Sequence, residues 1–315
     1  MSDAAPVAVL GAGSIGVAFA LVFARGGRPV RVWDPYPEAL TRAAEELEDR
    51  LGLLHDHGLL AEEPARLAAQ VTFEPDLTAA VFGCDLVQEC APERVEIKRS
   101  LFATVAELAP DAVLASSSSA IRASLTAEGL PAHARERLLV GHPGNPPYLL
   151  PVIEVVPAAA TTPAYVELAT QIYAEAGLRP IHVAHEPEGF VFNRLQGALL
   201  REAYCLVRDG VASVEDVDEV VRSGLGRRWS LIGPFETVDL NTRGGLASHA
   251  EKMGPAYARM GAERGQHDPW TPELVAEVVD QRRAVLPLEE WPERVQWRDR
   301  QLMALTPLWD AARES

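Results

Sequence analysis

Two ionisable residues in this chain stand where local physics disfavours them. His142 closes the apolar part of LLVGHPGNPP (138–147), and Glu154 lies in the middle of PVIEVVP (151–157). A buried carboxylate is costly unless it is paired, and His142 is the natural partner. Such a pair fixes one imidazole tautomer and favours the protonated ring, giving a group able to take up a proton and hold it. A structural ion pair or a solvent-facing glutamate is the competing reading. VLASSSSAI (113–121) runs an apolar stretch into four serines. A turn cap uses one or two of them, and a hydroxyl aimed at a substrate oxygen explains a further one. GFVFNRL (189–195) sets Asn193 and Arg194 inside an otherwise apolar helix start. Asparagine is a poor helix-interior residue, so a specific hydrogen bond is expected there.

The start of the chain carries a different signal. VAVLGAGSIG (7–16) has Gly11, Gly13 and Gly16 in G-x-G-x-x-G spacing, with Ser14 and Ile15 between the last two. The first glycine permits a tight turn, the second a close approach to a pyrophosphate, and the third close packing of helix on strand. Asp34 ends the next β-rich run. A carboxylate there accepts hydrogen bonds from both ribose hydroxyls and repels a 2′-phosphate, so NAD is expected rather than NADP.

These residues need elements to position them. Short β-rich runs at 7–10, 30–33, 71–73, 86–89, 112–116, 138–141, 152–156 and 181–183 alternate with Ala/Leu-rich helical stretches. That order predicts an α/β fold with a mostly parallel, Rossmann-type sheet covered by helices on both sides. Residues 37–69 are helical in composition and long enough for two helices, with a turn at His55–Gly58. A helical hairpin insertion protruding from the sheet is expected. From Gly189 onward no convincing strand follows, and Ser213 before Glu215 and Asp216 reads as a helix N-cap. The expected division is a nucleotide-binding domain at 1–187 and an all-α domain at 188–315.

Length and charge bound the rest. The 315 residues suit two domains at about 100–200 residues each. With 29 Lys and Arg against 45 Asp and Glu, the net charge is −16. That field repels a phosphate backbone and argues against nucleic-acid binding, while leaving room for a local anion pocket. No apolar run reaches the roughly 18 residues of a membrane span, and no basic segment precedes the first apolar stretch, so no membrane partner and no cleaved signal are expected. The three cysteines form no CxxC pair and have no histidine at metal spacing. They read as buried free thiols of a cytoplasmic protein, with no metal.

Taken together, these motifs resemble the NAD-dependent 3-hydroxyacyl-CoA dehydrogenase superfamily, and within it the lambda-crystallin / L-gulonate 3-dehydrogenase branch. The resemblance is carried by GHPGNPPYLLPVIEVVP (141–157), GFVFNRLQGALLREAYCLV (189–207) and GLGRRWSLIGPFETVDLN (224–241). It implies a Rossmann-type domain followed by a helical domain that forms a homodimer. It implies that His142 is the catalytic base and Glu154 its orienting partner. Ser119 and Asn193 then contact the substrate oxygen, and Asn145 lies near the nicotinamide. Glu93 and Lys98, in ECAPERVEIK (89–98), match positions that touch the cofactor on its ribose side.

The reaction implied is oxidation of the 3-hydroxyl of a small 3-hydroxy acid, with NAD as acceptor. Thioester-using members look different at residues 224–234, where GLGRRWSLIGP here carries Arg227 and Arg228. A guanidinium binds a free carboxylate bidentately, so Arg228 is expected to anchor a free acid, L-gulonate-like. A surface arginine paired with Glu236 or Asp239 is the competing reading. A hydroxyacyl thioester or a carnitine-type 3-hydroxy acid is the alternative substrate. A non-catalytic dinucleotide-binding or structural role is the alternative of another class.

Overall fold

Valine, leucine and isoleucine in short runs favour strands that are buried on both faces, and such runs form the middle of one eight-stranded sheet. In a computed structural model describing residues 4–266 and 271–314, the strands are β1 (Val7–Leu10), β2 (Val30–Trp33), β3 (Val71–Phe73), β4 (Leu86–Glu89), β5 (Val113–Ser116), β6 (Leu138–Pro143), β7 (Val152–Pro157) and β8 (Arg179–His182). Their order is β3-β2-β1-β4-β5-β6-β7-β8. Every pairing is parallel except β6 with β7. The order reverses between β1 and β4, the switch point at whose carboxyl edge ligands bind in open α/β sheets. The antiparallel β6–β7 pair sets His142 directly opposite Glu154 in register.

The helix after β1, α1 (Ser14–Arg25), buries every residue from Gly16 to Ala24. The segment 37–69 forms α2 (Pro37–Asp56) and a single turn, α3 (Pro64–Ala68). The turn between them involves His57 and Gly58, the latter at φ +67. Here the structure differs from the expected protruding hairpin. Leu40, Ala43, Leu47, Leu51 and Leu54 recur at helical spacing and join the core beside α1. A stripe of that kind lies down on its neighbour instead of projecting.

The chain divides into two compact units between Leu200 and Arg201, inside the helix Phe192–Arg208. The second unit is helical throughout its described residues. Ser213 caps the helix Val214–Glu219 in a reciprocal capping box with Asp216. Among the described residues, a core there holds Ile232, Leu240 and Leu286, packed against Leu231 and Trp291. Asp239 is fully buried beside it and accepts from the Leu246 N–H at 2.8 Å, from Arg282 Nε at 3.1 Å and from Arg283. No helix among the described residues is long and apolar enough to cross a membrane. Burial pushes the Cys84 and Cys90 thiols up to about 12, so neither is a thiolate at neutral pH.

Candidate active site

The strand register delivers the first contact. His142 Nδ1 and Glu154 Oε2 lie 2.6 Å apart, with the residues 5 % and 1 % exposed. Glu154 Oε1 accepts from the N–H groups of Val191 at 2.7 Å and Phe192 at 3.0 Å. Both oxygens of a buried carboxylate are therefore satisfied. Burial alone would push this carboxyl up, but the bonds from His142, Phe192 and Val191 outweigh it and hold it below the usual range. Donation from Nδ1 to Glu154 leaves Nε2 as the basic nitrogen of the ring.

The two N–H groups converge on one oxygen because the chain bends sharply before them. Phe190 is left-handed at φ 49, directly after Gly189 at φ 76. That conformation costs a phenylalanine about 1–3 kcal/mol. The bend also sets the Phe190 ring against the imidazole, with centroids 5.7 Å apart, and Phe192 meets it edge-on.

The serine run separates by function. Ser116 Oγ donates to Glu89 at 2.6 Å. Ser118 is buried; its hydroxyl donates to Glu93 and accepts from the N–H groups of Ala120 and Ile121. Both hydroxyls are thus committed to the turn. Ser119 is exposed, and its backbone carbonyl accepts from Asn193 Nδ2 at 3.3 Å. Its N–H donates to Glu93 at 3.2 Å. The structure therefore brings Ser119, Asn193 and Glu93 into one hydrogen-bonded group.

The glycine loop is built to admit a phosphate. Gly11 has φ +114, and a Cβ there would lie 2.7 Å from the Cys90 carbonyl oxygen. A Cβ on Gly16 would lie 1.9 Å from the Gly11 oxygen, whereas one on Gly13 would meet nothing within 4 Å. The first and third glycines are filled against protein, and the second faces open space. Gly13 precedes α1 with no side-chain cap, so the first N–H groups of the helix stay available to an anion. Asp34 accepts from the N–H groups of Ala12 at 2.9 Å and Tyr36 at 3.0 Å. It lines a cleft of about 970 Å³ together with Gly11, Gly13, Tyr36 and Pro92. This donor set fits a dinucleotide.

Lys98 is 1 % exposed, with its ammonium 2.8 and 2.9 Å from the two oxygens of Glu89. Glu93 lies 3.3 Å from the same ammonium and is the more exposed partner. Hydrogen bonds from Ser118 and the charge of Lys98 hold the Glu93 carboxyl low against the upward push of burial. Glu89 was not foreseen as part of this group. Its signal was present, an acid closing the apolar run of β4, the same oddity that marks Glu154. Asn145 is exposed on the segment between β6 and β7. Arg228 stands on the short helix Gly226–Trp229 of the second unit. Glu236 and Asp239, the acids a structural pairing would use, instead bind Arg282, Arg283 and Arg294.

A bare helix start over a glycine turn, an acid ending β2 and a histidine–glutamate pair at the carboxyl edge define an NAD-dependent dehydrogenase. Residues 6–186 match the family model of the 3-hydroxyacyl-CoA dehydrogenase NAD-binding domain, and residues 189–284 match that of its C-terminal domain. The chain belongs to the 3-hydroxyacyl-CoA dehydrogenase family. A lambda-crystallin homolog of Bos taurus is 39 % identical over 314 residues, 96 % of this chain and 95 % of that protein. An L-carnitine dehydrogenase of a Pseudomonas species is 37 % identical over 310 residues, 95 % of this chain and 92 % of that one. Among solved structures, a 3-hydroxyacyl-CoA dehydrogenase from Archaeoglobus fulgidus superposes with a TM-score of 0.73 at 25 % identity, over 96 % of this chain and 99 % of that one.

Proposed function

We propose that this dehydrogenase oxidises the 3-hydroxyl of a small free 3-hydroxy acid, L-gulonate-like, reversibly to the 3-keto acid. The observation that carries the reading is the buried His142–Glu154 contact of 2.6 Å, in which the second carboxylate oxygen is already satisfied. NAD, when bound, accepts the hydride from C3. His142 Nε2 takes the hydroxyl proton, and Glu154 stabilises the imidazolium that results. The Ser119 hydroxyl and the second N–H of Asn193 hold the substrate oxygen and oppose its developing negative charge. Gly11, Gly13, Ser14, Ile15, Gly16 and Asp34 would hold the pyrophosphate and adenosine ribose, with Glu93 and Lys98 touching the cofactor on its ribose side and Asn145 near the nicotinamide. Arg228 anchors the free carboxylate.

Two other substrates have specific support. A relative at 37 % identity is an L-carnitine dehydrogenase, and a cationic 3-hydroxy acid suits a chain of net charge −16. A structural neighbour is a 3-hydroxyacyl-CoA dehydrogenase, which favours a thioester. NAD reduction measured across free 3-hydroxy acids, L-carnitine and hydroxyacyl thioesters separates the three. On the best substrate, His142→Ala is expected to lower kcat about 10²–10⁴-fold while NADH still binds. Undiminished turnover in that variant would remove His142 from the mechanism.

A further inference from the structure

Arg50, on α2, has no place in the scheme above, yet it reaches from that helix to Ser14, the residue after the glycine turn. Its Nη2 donates to the Ser14 hydroxyl oxygen at 2.6 Å, and its Nη1 donates to the Ser14 carbonyl at 3.0 Å. The guanidinium is held from two sides. Glu46, one turn earlier, pairs with it, and the Tyr148 ring lies beneath it at 5.6 Å. Arg25 in turn donates to the Tyr148 carbonyl at 3.3 Å. Tyr148 belongs to the segment that follows His142 and carries Asn145. The Arg50 side chain is 14 % exposed, so a flexible side chain has been fixed at one place, a cost in rotamer freedom.

The chemistry of a hydroxyl says what this does. A serine oxygen has two lone pairs and a single proton. When a guanidinium donates to that oxygen, the proton is left to point elsewhere, and the positive donor polarises it. Ser14 is the first residue of α1, directly after Gly13. Its O–H therefore joins the bare helix N–H groups. Because Glu46 pairs with the guanidinium, Arg50 acts through the hydroxyl more than as a free charge.

We infer that Arg50 is a positioning residue for the dinucleotide, orienting the Ser14 hydroxyl as a donor to the pyrophosphate. The inference rests on reading the start of α1 as the pyrophosphate site. Its test is NADH binding, followed by fluorescence without turnover, in the wild type, Arg50→Met, Ser14→Ala and the double variant. Loss of one charge-assisted hydrogen bond raises the Kd for NADH about 10-fold in each single variant. Because both act through one hydroxyl, the double variant is expected to match the singles, not to multiply them to about 100-fold. Arg50→Lys, which can still donate to the oxygen, is expected to recover part of the loss. An Arg50→Met Kd within about twofold of the wild type overturns the inference, as does multiplication in the double variant. If Arg50→Met does not fold, Ser14→Ala decides on its own, since an unchanged Kd there leaves the arginine nothing to act through. A wild type that binds no NADH overturns the pyrophosphate reading itself, whereas a binding wild type with indifferent variants overturns only the role of Arg50.

Discussion

At the scale of single residues, the proposed carboxylate contact of Arg228 is what would set the substrate class. A free carboxylate approaching a chain of net charge −16 meets an unfavourable field, so a cation must receive it. Glu236 and Asp239 are bound by Arg282, Arg283 and Arg294. Arg228→Ala is expected to lower kcat/KM for a free 3-hydroxy acid about 10–100-fold, the worth of a charge-assisted contact, and to leave a thioester unaffected. Equal losses on both would refute carboxylate anchoring. His142, Glu154 and Asn193 draw notice in the sequence because each is a polar group in an apolar run, whereas only the family resemblance singles out Ser119 among four serines. Glu89 is the same kind of residue, but it closes its strand and so passes for the start of a polar loop. The N–H groups of Val191 and Phe192 were not legible at all. A backbone donor leaves no mark in residue type, and nothing about phenylalanine foretells the left-handed bend at Phe190.

Elements were read more easily than their lengths. All eight strands fall within two residues of the β-rich runs, most closely at the sheet centre, where a strand buried on both faces has little freedom of composition. The hairpin insertion stands where it is expected, but the lengths of its two helices were not legible, because Ala/Leu content sets helical preference, not where a helix stops. Pro64 begins the second helix, and a single turn later it ends. Joints between elements depend on contacts distant in sequence, and Arg137 shows one. It is 1 % exposed and lies just before β6, with Nη1 donating to the Ala109 and Ala112 carbonyls at 2.6 and 2.7 Å. Its other nitrogens donate to Ala106 at 3.0 Å and His133 at 2.9 Å. The guanidinium thus closes the end of the helix Val95–Leu108 and fastens it to the strand that carries His142. Arg137→Met leaves several buried carbonyls without donors and is expected to cost about 3 kcal/mol in urea unfolding. A change below about 0.5 kcal/mol, the scale of surface substitutions, would show that water replaces it freely.

At the scale of the whole molecule, the helix Phe192–Arg208 stands out. It is amphipathic in sequence, yet it has no buried residue. Leu195 is 60 % exposed and Tyr204 75 %. A helix face of that kind is stable in water only when something covers it, and we propose that a second copy of the chain does so. Leu195→Glu combined with Tyr204→Glu is expected to halve the mass measured by sedimentation. A wild type that already sediments as a monomer would rule the dimer out.

The bonds from Val191 and Phe192 to Glu154 carry a consequence for the order of events on the ribosome. All eight strands and the glycine turn have been synthesised before residue 191 is added. Until then Glu154 lacks two of its three donors, and burial works against its ionised form. The residues of the nucleotide cleft are thus synthesised before the two N–H groups that complete the partner of His142.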